Sequence, residues 1–123
     1  MHTFSLDGRT HDVCLLWDLT LFMPTVYYPV SELEWNADES CWSESSERIS
    51  PRAVLREPEK HPEHATRMRN ADLSCRLLLM ESNGRVVVVD GMHRLCGALR
   101  RNVKVLPACV VTAEALQCAL IDQ

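Results

Sequence analysis

Five consecutive residues, Asp90, Gly91, Met92, His93 and Arg94, bring a carboxylate, a glycine, an imidazole and a guanidinium together. Four valines at 86–89 precede them, and a stretch with helical spacing follows, so a buried strand gives way to a helix at this point. The first N–H groups of a helix lack internal acceptors, and the aligned peptide dipoles add partial positive charge, so an anion docks there readily. Gly91 permits a tight turn and the close approach of a ligand. His93 and Arg94 fall in the first helical turn, where cationic groups oppose the dipole unless an anion lies between them. Arg94 would fork onto phosphate oxygens, and His93 would donate a hydrogen bond or shuttle a proton. Asp90 would orient either of them, help to hold a metal, or act as a base. The same residues admit a plain structural reading, with Asp90 capping the helix, Arg94 paired to Asp90, and His93 packed and satisfied.

A second group, His61-Pro62-Glu63-His64, offers two imidazoles and a carboxylate for a metal or for general-base work. Pro62 disturbs the spacing, and a solvated helix start is the better expectation. Arg67 and Arg69 extend the positive charge or are simply solvated, and Asp72 caps a turn or orders a loop. Trp17, Trp35, Trp42, Tyr27 and Tyr28 would wall a base-binding pocket, or more simply fill the core. No GxxxxGK[ST], HExxH or GxSxG pattern occurs. The six cysteines form no CxxC pair, and contexts such as LPACVV and LQCAL predict small buried hydrophobes.

The elements that must position these groups follow from periodicity and turn residues. A strand is predicted over 2–6, closed by Asp7-Gly8, and a helix over 12–23, ended by Pro24. A strand over 25–30 carries Pro29, which places its far end at a sheet edge. The Ser- and Glu-rich stretch 37–50 reads as an irregular connection. Ser50-Pro51 starts a helix over 51–57, and another is expected over 64–70. Strands over 76–80 and 85–89 are joined by a hairpin at Asn83-Gly84, followed by a helix over 91–101. A strand over 105–111 and a closing helix of about ten residues from Thr112 complete the chain. The order suggests a βαβ-like crossover within an α+β fold, a small mixed sheet flanked by helices.

The chain has 123 residues, room for one domain and one core, so 1–123 is read as a single domain. No apolar run reaches the roughly 20 residues of a membrane span, and no secretory signal opens the chain, which together predict a cytoplasmic protein. Residues 1–50 carry two basic and nine acidic side chains, and residues 51–123 carry eleven basic and eight acidic. The aromatics lie in the acidic half, which disfavours direct binding to a nucleic-acid backbone. A local positive pocket for a small anion remains compatible with the second half. Oligomeric state leaves no mark in the sequence.

Residues 86–111, VVVVDGMHRLCGALRRNVKVLPACVV, resemble the conserved box of the ParB/sulfiredoxin superfamily: strand, glycine turn with His-Arg, helix with a small residue (Ala98), and a strand with Pro107. YYPVSEL at 27–33 and the stretch 50–75 resemble that family's lead-in, so the likeness spans about residues 25–112. It implies a ParB/sulfiredoxin-like domain that binds a nucleotide such as ATP, ADP or CTP, with Gly91, His93 and Arg94 on the phosphates. Mg²⁺ would be the helper ion of such chemistry. Met92 stands where sulfiredoxins carry a reactive cysteine, so that activity is not expected. The helix-turn-helix domain of partition proteins is not expected either, because only about eleven residues follow the last strand. A branch of free serine kinases carries a similar D-G-H-H-R box with an upstream catalytic glutamate, for which Glu63 is the nearest match. The resulting expectation is an ATP/ADP-dependent phosphotransferase on a small molecule, with Asp90, His93 and Glu63 catalytic and the run Gly91 to Arg94 holding phosphate. The alternative is a non-catalytic, nucleotide-regulated protein-interaction module.

Overall fold

The structure, a computed structural model, describes residues 2–121. Strands β1 (Thr3–Leu6) and β2 (Arg9–Asp12) form an antiparallel hairpin around Asp7 and Gly8, both at positive φ, a two-residue turn that matches strand twist. Asp12 caps α1 (Val13–Leu19) by accepting from the Leu15 amide at 3.2 Å. The helix stops at Leu19 rather than at Met23, because the buried Thr20 hydroxyl bonds back to the Leu16 carbonyl at 2.8 Å and tightens the last turn. β3 (Val26–Pro29) is an edge strand, as Pro29 indicated. Val30 leaves the ladder and opens α2 (Val30–Leu33), which runs on into a 3₁₀ turn over Glu34–Asp38.

The stretch expected to be irregular instead holds a second hairpin, β4 (Trp42–Glu44) and β5 (Glu47–Ile49), turned by Ser45 and Ser46 at positive φ. The Ser50 hydroxyl caps α3 (Pro51–Arg56), and a 3₁₀ turn over Pro58–Lys60 leads to α4 (Pro62–Asn70). α4 begins two residues before the expected start, since proline fits the first turn of a helix. β6 (Leu77–Ser82) and β7 (Arg85–Asp90) pair around Asn83-Gly84. α5 (Met92–Arg101), β8 (Val105–Val110) and α6 (Ala113–Cys118) follow, the last six residues long rather than ten.

The protein is an α+β fold around a mixed four-stranded sheet ordered β3-β8-β6-β7. β8 runs parallel to β6, whereas β3 and β7 pair antiparallel. α5 therefore joins two antiparallel strands across β6, and the parallel pair is bridged by β7 and α5 together, which corrects the simple βαβ expectation.

Alternation along the strands splits the core into two faces. Leu78, Met80, Val87, Val89 and Cys109 pack against α1 and α6 through Val13, Leu16 and Ala115. Leu77, Leu79, Val88, Leu106 and Ala108 pack against α2 and α5 through Val30, Leu33, Leu95 and Ala98. A third cluster, Val54, Ala65, Met68 and Cys96, locks α3 and α4 onto α5. Each fully buried leucine in these layers contributes about 1.5–3 kcal/mol relative to exposure. Cys96 and Cys109 are the small buried hydrophobes expected, with burial pushing the Cys96 thiol up to about 12. Cys14, Cys41, Cys75 and Cys118 are exposed instead. Cys118 sits on the outer side of α6 while Ala115 and Ala119 take the inner one.

Candidate functional site

The site begins where β7 ends. Asp90 is the last residue of that strand, and Gly91 turns the chain at φ 109°, a conformation that L side chains rarely adopt. A Cβ at Gly91 would lie 2.4 Å from Leu77 Cδ2 in the core, so the backbone demands glycine and any side chain there would also have to displace the Leu77 methyl. The Gly91 carbonyl accepts from the amides of Arg94 and Leu95, at 2.9 and 3.0 Å. The amides of Met92 and His93, in the first turn of α5, have no intrahelical acceptor. The helix lacks a side-chain cap.

Asp90 neither caps α5 nor pairs with Arg94. Its Oδ2 accepts from the Trp17 indole N–H at 2.8 Å, tying the end of β7 to α1. The Arg94 guanidinium donates to the Arg76 carbonyl at 3.2 Å, and Arg76 in turn holds the carbonyls of Met23 and Thr20. His93 Nε2 lies 3.0 Å from His64 Nδ1 on α4. Both imidazoles stack on Trp42 of β4, with centroids at 4.2 Å for His64 and 4.4 Å for His93. Their own centroids are only 5.3 Å apart, so the two rings share one face of the indole.

These groups line a cleft of about 620 Å³. The N-terminal hairpin contributes His2, Thr3 and Phe4 to its wall. Trp42, His64, Arg67 and Asp72 form another side, and the whole run from Asp90 to Arg94 forms the third. Burial, the neighbouring His64 and the charges of Arg67 and Arg94 push His93 down to about 4, with Asp90 opposing. Burial also lowers His64. At neutral pH both rings are therefore uncharged, and the standing positive charge of the cleft comes from the arginines and the helix end. Asp72 is held below the usual carboxylate range, first by the Ser74 hydroxyl at 2.6 Å and its amide at 3.0 Å, with Arg94 adding to the effect.

Gly91, Met92, His93 and Arg94 thus come together on one cleft with Asp90, as the sequence placed them. Glu63 does not join them: it is exposed on α4 and is not among the cleft's walls, while its neighbour His64 is. Pro62 starts the helix and splits the HPEH group, sending His61 Nδ1 to Glu44 at 2.8 Å and His64 to His93. Among the described residues no three His, Cys, Asp or Glu side chains converge as a metal site. Arg67 lines the cleft, whereas Arg69 bonds to Thr66. Trp35 lies under the Arg85 guanidinium and Tyr27 is exposed on the edge strand, so neither belongs to the cleft.

In the sequence, His64 stands within a weak metal motif and Trp42 within a general aromatic group. Nothing in the sequence ties His64 to His93, which lies 29 residues further on. Nothing in the sequence singled out Trp42, because its strand was hidden in a polar stretch. No helix among the described residues is long and apolar enough to cross a membrane. No protein-family model, curated protein or solved structure matches the chain.

Proposed function

We propose that the cleft binds the phosphate groups of a nucleotide at the N-terminus of α5. The observation that carries this reading is an open cleft into which the Gly91 turn, the first turn of α5, Arg67 and Arg94 all face. The amides of Met92 and His93, which have no acceptor within the helix, would receive phosphate oxygens. Arg94 would add charge from a guanidinium already anchored by the Arg76 carbonyl. The resemblance of residues 86–111 to the ParB/sulfiredoxin box supports the same assignment. Trp42 does not serve as a platform for the base on the face that the two imidazoles cover.

The fuller reading is a phosphotransferase acting on a small molecule with ATP or ADP. Phosphoryl transfer asks mainly for positioning and charge neutralisation, which the helix end and arginines supply. His93 lines the cleft beside the phosphate site and is the group to shuttle a proton with the acceptor, whereas Glu63 is exposed and lies outside the cleft's walls. With no converging donor set among the described residues, Mg²⁺ would arrive on the phosphates of the nucleotide. One observation favours the alternative, a non-catalytic nucleotide-regulated interaction module: both carboxylates that line the cleft are already engaged, Asp90 by the Trp17 indole and Asp72 by Ser74.

Thermal shift with ATP, ADP, CTP and GTP, each with and without Mg²⁺, tests binding. Stabilisation by at least one nucleotide, lost in Arg94→Ala and weakened in His93→Ala, is expected. No shift with any of them overturns the reading. Turnover of the bound nucleotide with added amino acids or sugars then separates transferase from module.

A further inference from the structure

The His64–His93 pair has a geometry that bears on how the cleft receives its charge. The two rings are within 15° of coplanar, and their centroid separation of 5.3 Å exceeds the 3.0 Å between Nδ1 and Nε2 by about two ring radii. Both nitrogens therefore lie on the line joining the rings, and the lone pair of one meets the N–H of the other head-on. This is the arrangement of a hydrogen bond between imidazoles. It differs from two ligands converging on a shared ion, whose lone pairs meet at an angle.

We propose that an oxyanion enters this cleft together with one proton, which His64 and His93 hold between them. The inference rests on the oxyanion-binding reading of the same cleft and adds to it the group that balances the charge. In the empty cleft the pair shares a single neutral N–H···N bond. Added to the pair, a proton turns that bond into a charge-assisted N⁺–H···N bond and places an imidazolium over the Trp42 face, where the ring quadrupole attracts it. A second proton would put two cations end to end, so uptake stops at one.

The surroundings of the pair decide when the proton arrives. Arg67 on α4, Arg94 on α5 and burial oppose it; Asp90, Glu44 on β4 and Glu63 favour it, and His61, paired to Glu44, stands nearby. In the free protein the opposing groups prevail at both rings: burial lowers His64, and burial, His64 and the arginines take His93 to about 4. A dianion beside Arg94 cancels the repulsion from the arginines and shifts the balance towards the charged pair.

Sulfate is the suitable probe because it stays a dianion between pH 5.5 and 8, leaving the protein as the titrating partner. Titration calorimetry of the intact chain, in two buffers of different ionisation heat, should show uptake close to one proton per sulfate at pH 6.5. The affinity should rise as pH falls from 7.5, by up to about tenfold per pH unit where uptake reaches one proton. His64→Phe keeps a ring on Trp42 but removes the partner nitrogen, and its pH slope should fall close to zero. Imidazole nitrogen NMR of the free wild-type protein at pH 6.5 should show both rings neutral. Sulfate binding without proton uptake, or an unchanged slope in His64→Phe, overturns this inference while leaving the oxyanion reading intact. Absence of sulfate and nucleotide binding at every pH overturns both. The wild-type measurement decides the matter even if His64→Phe does not fold.

Discussion

At the residue scale, two side chains set the terms of the site. Gly91 has φ 109° and no room for a Cβ beside Leu77, so Gly91→Ala should cost about 1–3 kcal/mol. Chemical denaturation measures this, and an unchanged midpoint would mean that Leu77 moves aside and the turn carries no strain. His93 sets the pH response. Its folded value of about 4 lies below the unfolded value of about 6.5, so the unfolded chain holds more protons between those limits. Stability is therefore complete above about pH 6.5 and is lost as pH falls towards 4. For a ring partly open to solvent, screening leaves on the order of 1 kcal/mol. His93→Phe should flatten that part of the stability profile, and identical profiles for the two proteins would refute the assignment. The Asp90 to Arg94 run was legible because its residue types are adjacent and conflict with a helix start. His64 was not, because it lies 29 residues away and only packing on α5 brings it near.

At the scale of elements, the sheet has two edges treated differently. β3 is short and carries Pro29, which offers no N–H for further pairing. β7, which delivers Asp90 to the cleft, is closed by one side chain. The buried Asn36 amide donates to the Val86 carbonyl at 3.1 Å and accepts from the Val88 amide at 3.0 Å, standing in for a neighbouring strand. Asn36→Ala would leave both backbone groups unpaired in a buried place and should cost about 2–4 kcal/mol. Faster hydrogen exchange at Val88 would accompany the loss, and protection as in wild type would show that water or Leu33 replaces the amide. The hairpin turns show what a sequence announces. Asn83-Gly84 declares its left-handed residues, whereas Ser45-Ser46 adopts the same conformation without a glycine or asparagine. The sequence therefore carries no sign of the β4–β5 hairpin, nor of the place of Trp42 on it. β2 was missed for a similar reason, since Arg-Thr-His-Asp lacks strand-forming apolar residues and pairs only because the Asp7-Gly8 turn presents it to β1.

At the scale of the whole molecule, the β1–β2 hairpin meets the segment that follows α6, and the cleft depends on that meeting. The acidic and basic halves seen in the sequence interleave, because β3 from the first half pairs with β8 from the second. The N-terminal hairpin belongs to its own two-stranded sheet and is tied to the segment after α6 instead. The Asp12 amide donates to the Ala119 carbonyl at 2.9 Å, the Ile121 amide to the Thr10 carbonyl at 2.9 Å, and His11 bridges to Leu120. That hairpin supplies His2, Thr3 and Phe4 to the wall of the cleft. A chain ending at Cys118 would keep the four-stranded sheet and the Gly91 turn but lose these ties and the buried Ala119. Its hairpin amides should exchange markedly faster, and its sulfate affinity should fall roughly fivefold, the equivalent of about 1 kcal/mol in binding. If exchange in residues 3–12 and sulfate affinity both stay at wild-type levels, the hairpin holds its place through α1 alone. The C-terminal segment would then have no part in shaping the cleft.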